Sequence, residues 1–139
     1  MIAQYLWLTG SVIITILATV HLYYTFFTNK FSSHNEKMVE EMKSSFPILT
    51  RKTTMWKAWT GFNASHSSGA MFIGVINFYL ALNYFTFLQS DHFFFLFTII
   101  TMFFYGWLGK KYWFNVPFTG IIISLACFTV SYILVLISQ

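Results

Sequence analysis

The chain has 139 residues, of which 57% are hydrophobic and 9% are Asp, Glu, Lys or Arg, and its formal net charge is +4. Soluble domains carry about 25% charged residues, so this composition excludes an ordinary soluble domain. It predicts instead a protein that is embedded in the lipid bilayer.

Four stretches contain no charged side chain, and each is long enough to cross a membrane once as a helix. A crossing takes about 20 mostly apolar residues, within a range of roughly 17 to 25, so none of the stretches crosses twice. Aromatic runs such as residues 93–97 do not alternate as membrane β-strands do. The sequence therefore predicts an all-α fold, a four-helix transmembrane bundle, with residues 1–139 as a single membrane domain. The four stretches comprise residues 1–29, 58–90, 92–109 and 112–139.

The first predicted span covers about residues 5–27. Tyr5 and Trp7 lie near its outer end, and Tyr23 and Tyr24 lie near its inner end, at depths that amphipathic rings prefer. The segment has no positively charged start and no small-residue cleavage site. We therefore expect a retained span and not a signal peptide.

The loop after this span contains a helix signal. Ser33 and Glu36 have the spacing of a capping box, in which the serine accepts from a backbone N–H and the glutamate reaches back. A short helix is predicted over about residues 34–44, with these apolar residues on one side: Met38, Val39 and Met42. Two arrangements fit it: an amphipathic helix on the cytoplasmic membrane surface, or a solvated helix packed on the spans.

The remaining predicted spans cover about residues 59–85, 93–108 and 117–137. A tight outer turn over residues 88–91 would make the second and third spans an antiparallel hairpin. A compact inner turn leads to Pro117, whose missing N–H is tolerated in the first turn of a helix.

Basic residues set the predicted orientation. Six of the eight lie between the first two spans, and Lys110 and Lys111 follow the third. Short cytoplasmic loops are enriched in Lys and Arg, so we expect both basic loops inside and both termini outside. Because membrane topology accounts for the positive charge, we predict no nucleic-acid partner.

The second span has an uneven surface when its residues are placed at ~100° intervals. Besides a main face of small or polar residues, the span has a second ridge of small residues at four-residue spacing, formed by Gly61, Ser65 and Gly69. Small residues let membrane helices approach closely, and buried polar side chains bond between helices, so this span is predicted to be central. Its main small or polar face comprises Asn63, His66, Ser67, Ala70, Gly74, Asn77 and Ala81.

The first span has a matching polar stripe that contains His21. At ~1.5 Å per residue, His21 and His66 both lie roughly 10 Å below the inner interface, so the two side chains can meet. Four interpretations stay open: internal hydrogen bonding, a pocket for a small ligand, lipid headgroup or quinone, ligation of haem or metal, and a proton relay. Two histidines without nearby Cys or carboxylate ligands supply fewer ligands than a typical metal site has. The residues that would line a pocket are His21, Asn63, His66 and Ser67.

Three cations lie where the mouth of such a pocket would open on the inner side: Arg51, Lys52 and Lys57. They could hold an anionic headgroup there. The same three residues also fit plain anchoring of an inner loop by positive charge.

The sequence contains no recognisable catalytic motif. Asp91 is the only acid outside the first inner loop, so a membrane enzyme acting on lipid or thiol substrates would have only His21, His66 and Cys127. We therefore predict no catalytic residue and no metal site. We favour a non-enzymatic interaction or small-subunit role, with another membrane protein or a second copy as partner. The alternative is an intramembrane bundle that binds quinone, lipid or haem at His21 and His66.

Three tracts of the chain are distinctive. Residues 53–56 read Thr-Thr-Met-Trp, residues 61–66 read Gly-Phe-Asn-Ala-Ser-His, and residues 111–114 read Lys-Tyr-Trp-Phe near the end of the third span. With them the chain resembles, over nearly its whole length, a family of small, uncharacterised bacterial four-span membrane proteins. The resemblance implies the four-span architecture and a location in the bacterial cytoplasmic membrane. In size and span count the chain also loosely resembles small four-helix membrane proteins of the DoxX type, an analogy that carries no function.

Overall fold

The computed structural model describes residues 1–138. This part of the chain contains six helices and no strand, which confirms the all-α prediction. The helices are α1 (Ile2–Phe27), α2 (Glu36–Ser44), α3 (Met55–Asn83), α4 (Phe85–Ser90), α5 (His92–Tyr112) and α6 (Asn115–Ile137).

Among the described residues, three helices are long and apolar enough to cross a membrane, namely α1, α5 and α6. The chain is therefore compatible with an integral membrane protein. Helix α3 is the longest of all, at 29 residues, but Asn, Ser and His side chains in its first half lower its hydropathy. By length and composition alone, the structure gives three candidate spans where the sequence predicted four.

The start of α2 differs from the predicted capping box. Asn35 is the N-cap, and its Oδ1 accepts from the backbone N–H of Met38 at 3.4 Å. The Oγ of Ser33 instead accepts from the N–H of Asn35 at 3.1 Å. Asparagine is as good an N-cap as serine, so the helix begins two residues later than the capping box implies.

The connection between α3 and α5 also differs from the expected tight turn. Helix α4 occupies most of residues 88–91, and its Leu88 is buried. Asp91 separates it from α5, and a carboxylate oxygen of Asp91 accepts from the N–H of Phe93 at 3.0 Å. An aspartate at this position caps the next helix and satisfies one of its unpaired donors.

The chain divides into two compact units. The first comprises Met1–Leu17 together with the residues from Ala70 onward, and the second comprises Ala18–Gly69. The histidine cluster predicted from the sequence falls entirely in the second unit.

Trp7 lies at the core of the first unit. Its side chain is 0% exposed, with ring centroids 4.4 Å from Phe95 of α5 and 4.5 Å from Phe128 of α6. The Trp7 side chain therefore lies inside the protein, where its indole N–H donates to the Oδ1 of Asn77 at 3.1 Å. Its expected depth near the outer interface stays a prediction. Tyr5, two residues earlier, is exposed.

Serine hydroxyls join α6 to α1 in the same unit. Ser124 donates to the carbonyl oxygen of Gly10 at 2.8 Å, and Ser131 donates to that of Ala3 at 2.6 Å. Hydrogen bonds of this kind hold helices together where apolar surroundings offer no competing water.

Candidate polar site around His21 and Asn63

The second unit contains a hydrogen bond between α1 and α3. The Nε2 of His21 lies 3.1 Å from the Oδ1 of Asn63. The amide nitrogen of Asn63 donates to the carbonyl oxygen of Trp59 at 2.9 Å, so the amide oxygen is the atom turned toward His21. Nε2 must therefore carry the hydrogen and donate it.

His66 lies beside this pair. Its ring centroid is 5.5 Å from that of His21, and the two rings meet edge to face at 69°. Both histidines are partly buried. The structure thus brings together His21, Asn63 and His66, three of the four residues that the sequence assigned to a pocket.

Ser67 is the fourth residue, and its hydroxyl is engaged within its own helix. The side chain is buried, and the Oγ donates to the carbonyl oxygen of Asn63 at 2.7 Å. Serine bonded in this way to the preceding turn needs no partner from another helix. Ser67 therefore supports the backbone beneath Asn63 and contributes no outward donor.

An aromatic side chain that the sequence did not indicate packs on the cluster. The ring of Phe31 lies 4.4 Å from the ring of His21, at an angle of 35°. The indole N–H of Trp59 donates to the carbonyl oxygen of Phe31 at 3.3 Å and fixes that residue. Phe31 belongs to the irregular segment after α1, where helical periodicity gives no guide to side-chain direction.

A small cavity adjoins Asn63 in this unit. Its volume is about 20 Å³, and its lining includes Thr25, Thr28, Phe31, Trp59 and Asn63. A space of this size holds about one water molecule, whereas pockets for drug-sized ligands measure roughly 300–1,000 Å³. In this conformation the space beside Asn63 fits a bridging water and excludes a quinone ring.

Arg51, Lys52 and Lys57 are all exposed. Their backbone N–H groups are used locally: that of Lys52 donates to the Oγ1 of Thr50, and that of Lys57 donates to the Oγ1 of Thr54. The three side chains remain open to an anion, and the headgroup role assigned to them stays a prediction.

A larger cleft lies between α2 and the segment that follows α1. Its volume is about 850 Å³, and Lys43 places its Nζ 5.6 Å from the ring centre of Trp56 at its edge. The sequence did not predict this cleft, because its lining comes from segments that are separate along the chain. The charged and imidazole side chains in its lining are Lys30, His34, Glu36, Glu40 and Lys43.

Chemically, the His21 cluster offers two imidazoles and an amide. Within residues 1–138, no group of three or more His, Cys, Asp or Glu side chains could hold a metal ion. Cys127 is half-buried in α6, which belongs to the first unit. What the cluster can do is donate and accept hydrogen bonds between helices.

The fold and this cluster define an α-helical protein compatible with membrane embedding, in which polar side chains join helices that are otherwise apolar. Comparison of the chain with protein-family models, with curated proteins and with solved structures found no match. The resemblance to small bacterial four-span proteins therefore stays a prediction.

Proposed function

We propose that the chain is a four-span integral membrane protein in which α3 crosses the membrane in addition to α1, α5 and α6. The observation that carries this proposal is the two-sided surface of α3. Its small and polar residues Ser67, Asn77 and Ala81 are buried, whereas Phe62 and Phe72 are 75% and 69% exposed. A helix that buries a serine and an asparagine side chain and exposes large aromatic rings suits lipid, although its average hydropathy is modest.

The hydrogen bonds of Asn77 support the same conclusion. Its Oδ1 accepts from the indole N–H of Trp7 and from the Oγ1 of Thr98, each at 3.1 Å. Its amide nitrogen donates to the carbonyl oxygen of Ile73 at 2.9 Å. A polar side chain bonded in this way can lie within the hydrocarbon region at a reduced cost, because both its amide oxygen and its amide nitrogen have partners.

In this proposal both termini lie outside and the two basic loops lie inside a bacterial cytoplasmic membrane. The orientation is supported by the positions of the eight basic residues, six before α3 or in its first turn and two at the end of α5. The bacterial location is supported by the family resemblance of the Thr-Thr-Met-Trp and Gly-Phe-Asn-Ala-Ser-His tracts.

We further propose that the protein works by binding another membrane helix and not by catalysis. The ridge formed by Gly61, Ser65 and Gly69 is exposed along α3, separate from the buried polar face. A Cβ atom built on Gly61 meets nothing within 4 Å. Small residues at this spacing let a second helix approach closely, so a partner subunit or a second copy has a surface to pack against.

Association of the purified protein in mild detergent tests this role. The double variant Gly61→Leu with Gly69→Leu fills the ridge, and Ala126→Leu enlarges an exposed small residue of α6 as the matched control. We expect the ridge variant to lose an oligomer or a copurified membrane protein that the wild type and the control retain. A wild type that is always monomeric and copurifies with nothing contradicts the role.

A ligand-binding bundle centred on His21 and His66 is the second candidate. The closeness of the two imidazole rings favours it, but the small adjoining cavity favours internal hydrogen bonding instead. An absorption spectrum separates the two. A Soret band that disappears in His66→Ala would establish haem, and mass spectrometry of a lipid extract would detect a quinone or a retained lipid.

A further inference from the structure

The loop between α2 and α3 carries an apolar tip formed by Phe46, Pro47, Ile48 and Leu49, which we call the 46–49 tip. Ile48 is fully exposed, Leu49 is 94% exposed and Phe46 is about half exposed. Exposed loop tips in water are usually built from small and polar residues. A contiguous apolar tip of this kind indicates a surface that contacts something apolar.

Backbone hydrogen bonds give this loop a defined shape. The N–H of Met55 donates to the carbonyl oxygen of Ser45 at 3.0 Å and closes the base of the loop. The N–H of Thr50 donates to the carbonyl oxygen of Pro47 at 3.2 Å and forms a turn at the tip. The apolar side chains therefore project from a closed base, and little further ordering is needed before they make contact.

The charges around the tip all have one sign. From Lys43 to Lys57 the chain contains four basic residues and no acid. Arg51 and Lys52 follow the tip directly, and both are exposed. Apolar residues next to exposed cations match the boundary between the acyl chains and the headgroups of an anionic leaflet.

We propose that the 46–49 tip inserts into an anionic lipid surface, with Arg51 and Lys52 bound to lipid phosphates beside it. The proposal rests on the membrane embedding proposed above, because a loop between two spans lies at the bilayer surface. It adds a lipid-recognition element that depends on leaflet charge. Insertion of the tip then responds to the anionic lipid content of the membrane.

Fluorescence of a labelled loop tests the proposal with the full chain. In a Cys127→Ala background, Ile48→Cys carries an environment-sensitive dye, and His34→Cys, an exposed site just before α2, is the matched control. Each protein is reconstituted into vesicles of phosphatidylcholine alone or of phosphatidylcholine with phosphatidylglycerol. We expect the dye at position 48, in the anionic vesicles only, to emit at shorter wavelength and be quenched by nitroxides on the acyl chains. The dye at position 34 stays accessible to iodide in both.

Charge variants test the role of the cations. Each near-surface cation favours binding to an anionic membrane by about fivefold, so Arg51→Gln with Lys52→Gln should lower the inserted fraction relative to the exposed one by about 25-fold. Equal iodide quenching at positions 48 and 34 in both lipid mixtures overturns the proposal. Equal insertion into neutral and anionic vesicles, unchanged by the charge variant, overturns the assignment of an anionic surface.

The vesicles have the same lipids in both leaflets, so insertion is measured whichever side the loop faces. An inserted tip on a loop that proves to lie outside would contradict the proposed orientation and support the tip assignment. An exposed tip on a loop that proves to lie inside would support the proposed orientation and contradict the tip assignment.

Discussion

The indole N–H of Trp7 donates to the Oδ1 of Asn77, and this bond joins α1 to α3 across 70 positions of sequence. The same oxygen accepts from the hydroxyl of Thr98, so one amide connects three helices. Asn77 is only 5% exposed. If α3 is a span as proposed, this position explains how the helix can contain polar residues and still present an apolar surface to lipid.

Replacing Asn77 with alanine should lower the free energy of unfolding by about 1–2 kcal/mol, because the Trp7 and Thr98 donors lose their acceptor. Asn83→Ala is the matched control. The Asn83 amide also donates to a carbonyl one turn earlier, that of Tyr79 at 3.1 Å, but its side chain is exposed. Unfolding of the purified protein by SDS in mixed micelles measures the change in unfolding free energy for both variants. Equal losses in the two variants would show that the contact between helices contributes nothing.

Gly74→Ala and Gly61→Ala should change stability in opposite directions, although both add one methyl group to the same helix. A Cβ at Gly74 would lie 2.9 Å from the backbone nitrogen of Thr15 and 3.1 Å from the carbonyl oxygen of Ser11, so α1 and α3 must move apart. We expect a loss of about 1–3 kcal/mol. Gly61 has open space around it, and alanine there should gain up to about 1 kcal/mol from helix propensity. The same unfolding assay compares them, and a neutral Gly74→Ala would contradict the close approach.

The bond between His21 and Asn63 should appear as coupling in a double-mutant cycle. The variants His21→Ala and Asn63→Ala, alone and together, should give a coupling of about 0.6 kcal/mol, with an upper value near 1.7. The cycle cancels the bond that Asn63 makes within its own helix. His21→Ala combined with Asn83→Ala serves as the control, and those two changes should be additive to within about 0.5 kcal/mol. Additivity for both pairs would remove His21 and Asn63 as a stabilising contact.

The fold class could be predicted because only helices and closed barrels satisfy the backbone in lipid, and the long uncharged stretches lack the alternation of barrel strands. Helix ends were less predictable. Ser33 and Asn35 are both good caps, and the choice between them depends on the path of the chain after α1, which no short-range pattern contains. Trp7 shows the same limit, since its burial depends on Asn77, an acceptor that lies far away in sequence.

The candidate site was predictable in part for a similar reason. Position along two helices, taken with a shared polar stripe, is enough to bring His21 near His66. The ring of Phe31 over His21 was not predictable, because that residue lies in an irregular segment. Nor does helical position indicate how much empty space surrounds a polar group. The amount of empty space depends on side-chain packing, and this amount decides between a pocket and a hydrogen-bonded contact.

The central claim is that α3 crosses the membrane, and labelling of single cysteines from one side tests it most directly. In a Cys127→Ala background, His34→Cys and Ser90→Cys place exposed thiols in the segments before and after α3. A membrane-impermeant maleimide is added to intact spheroplasts and to permeabilised ones. We predict that the thiol at position 90 reacts in intact spheroplasts and that the thiol at position 34 reacts only after permeabilisation. Reaction of both thiols from the same side would contradict the four-span account.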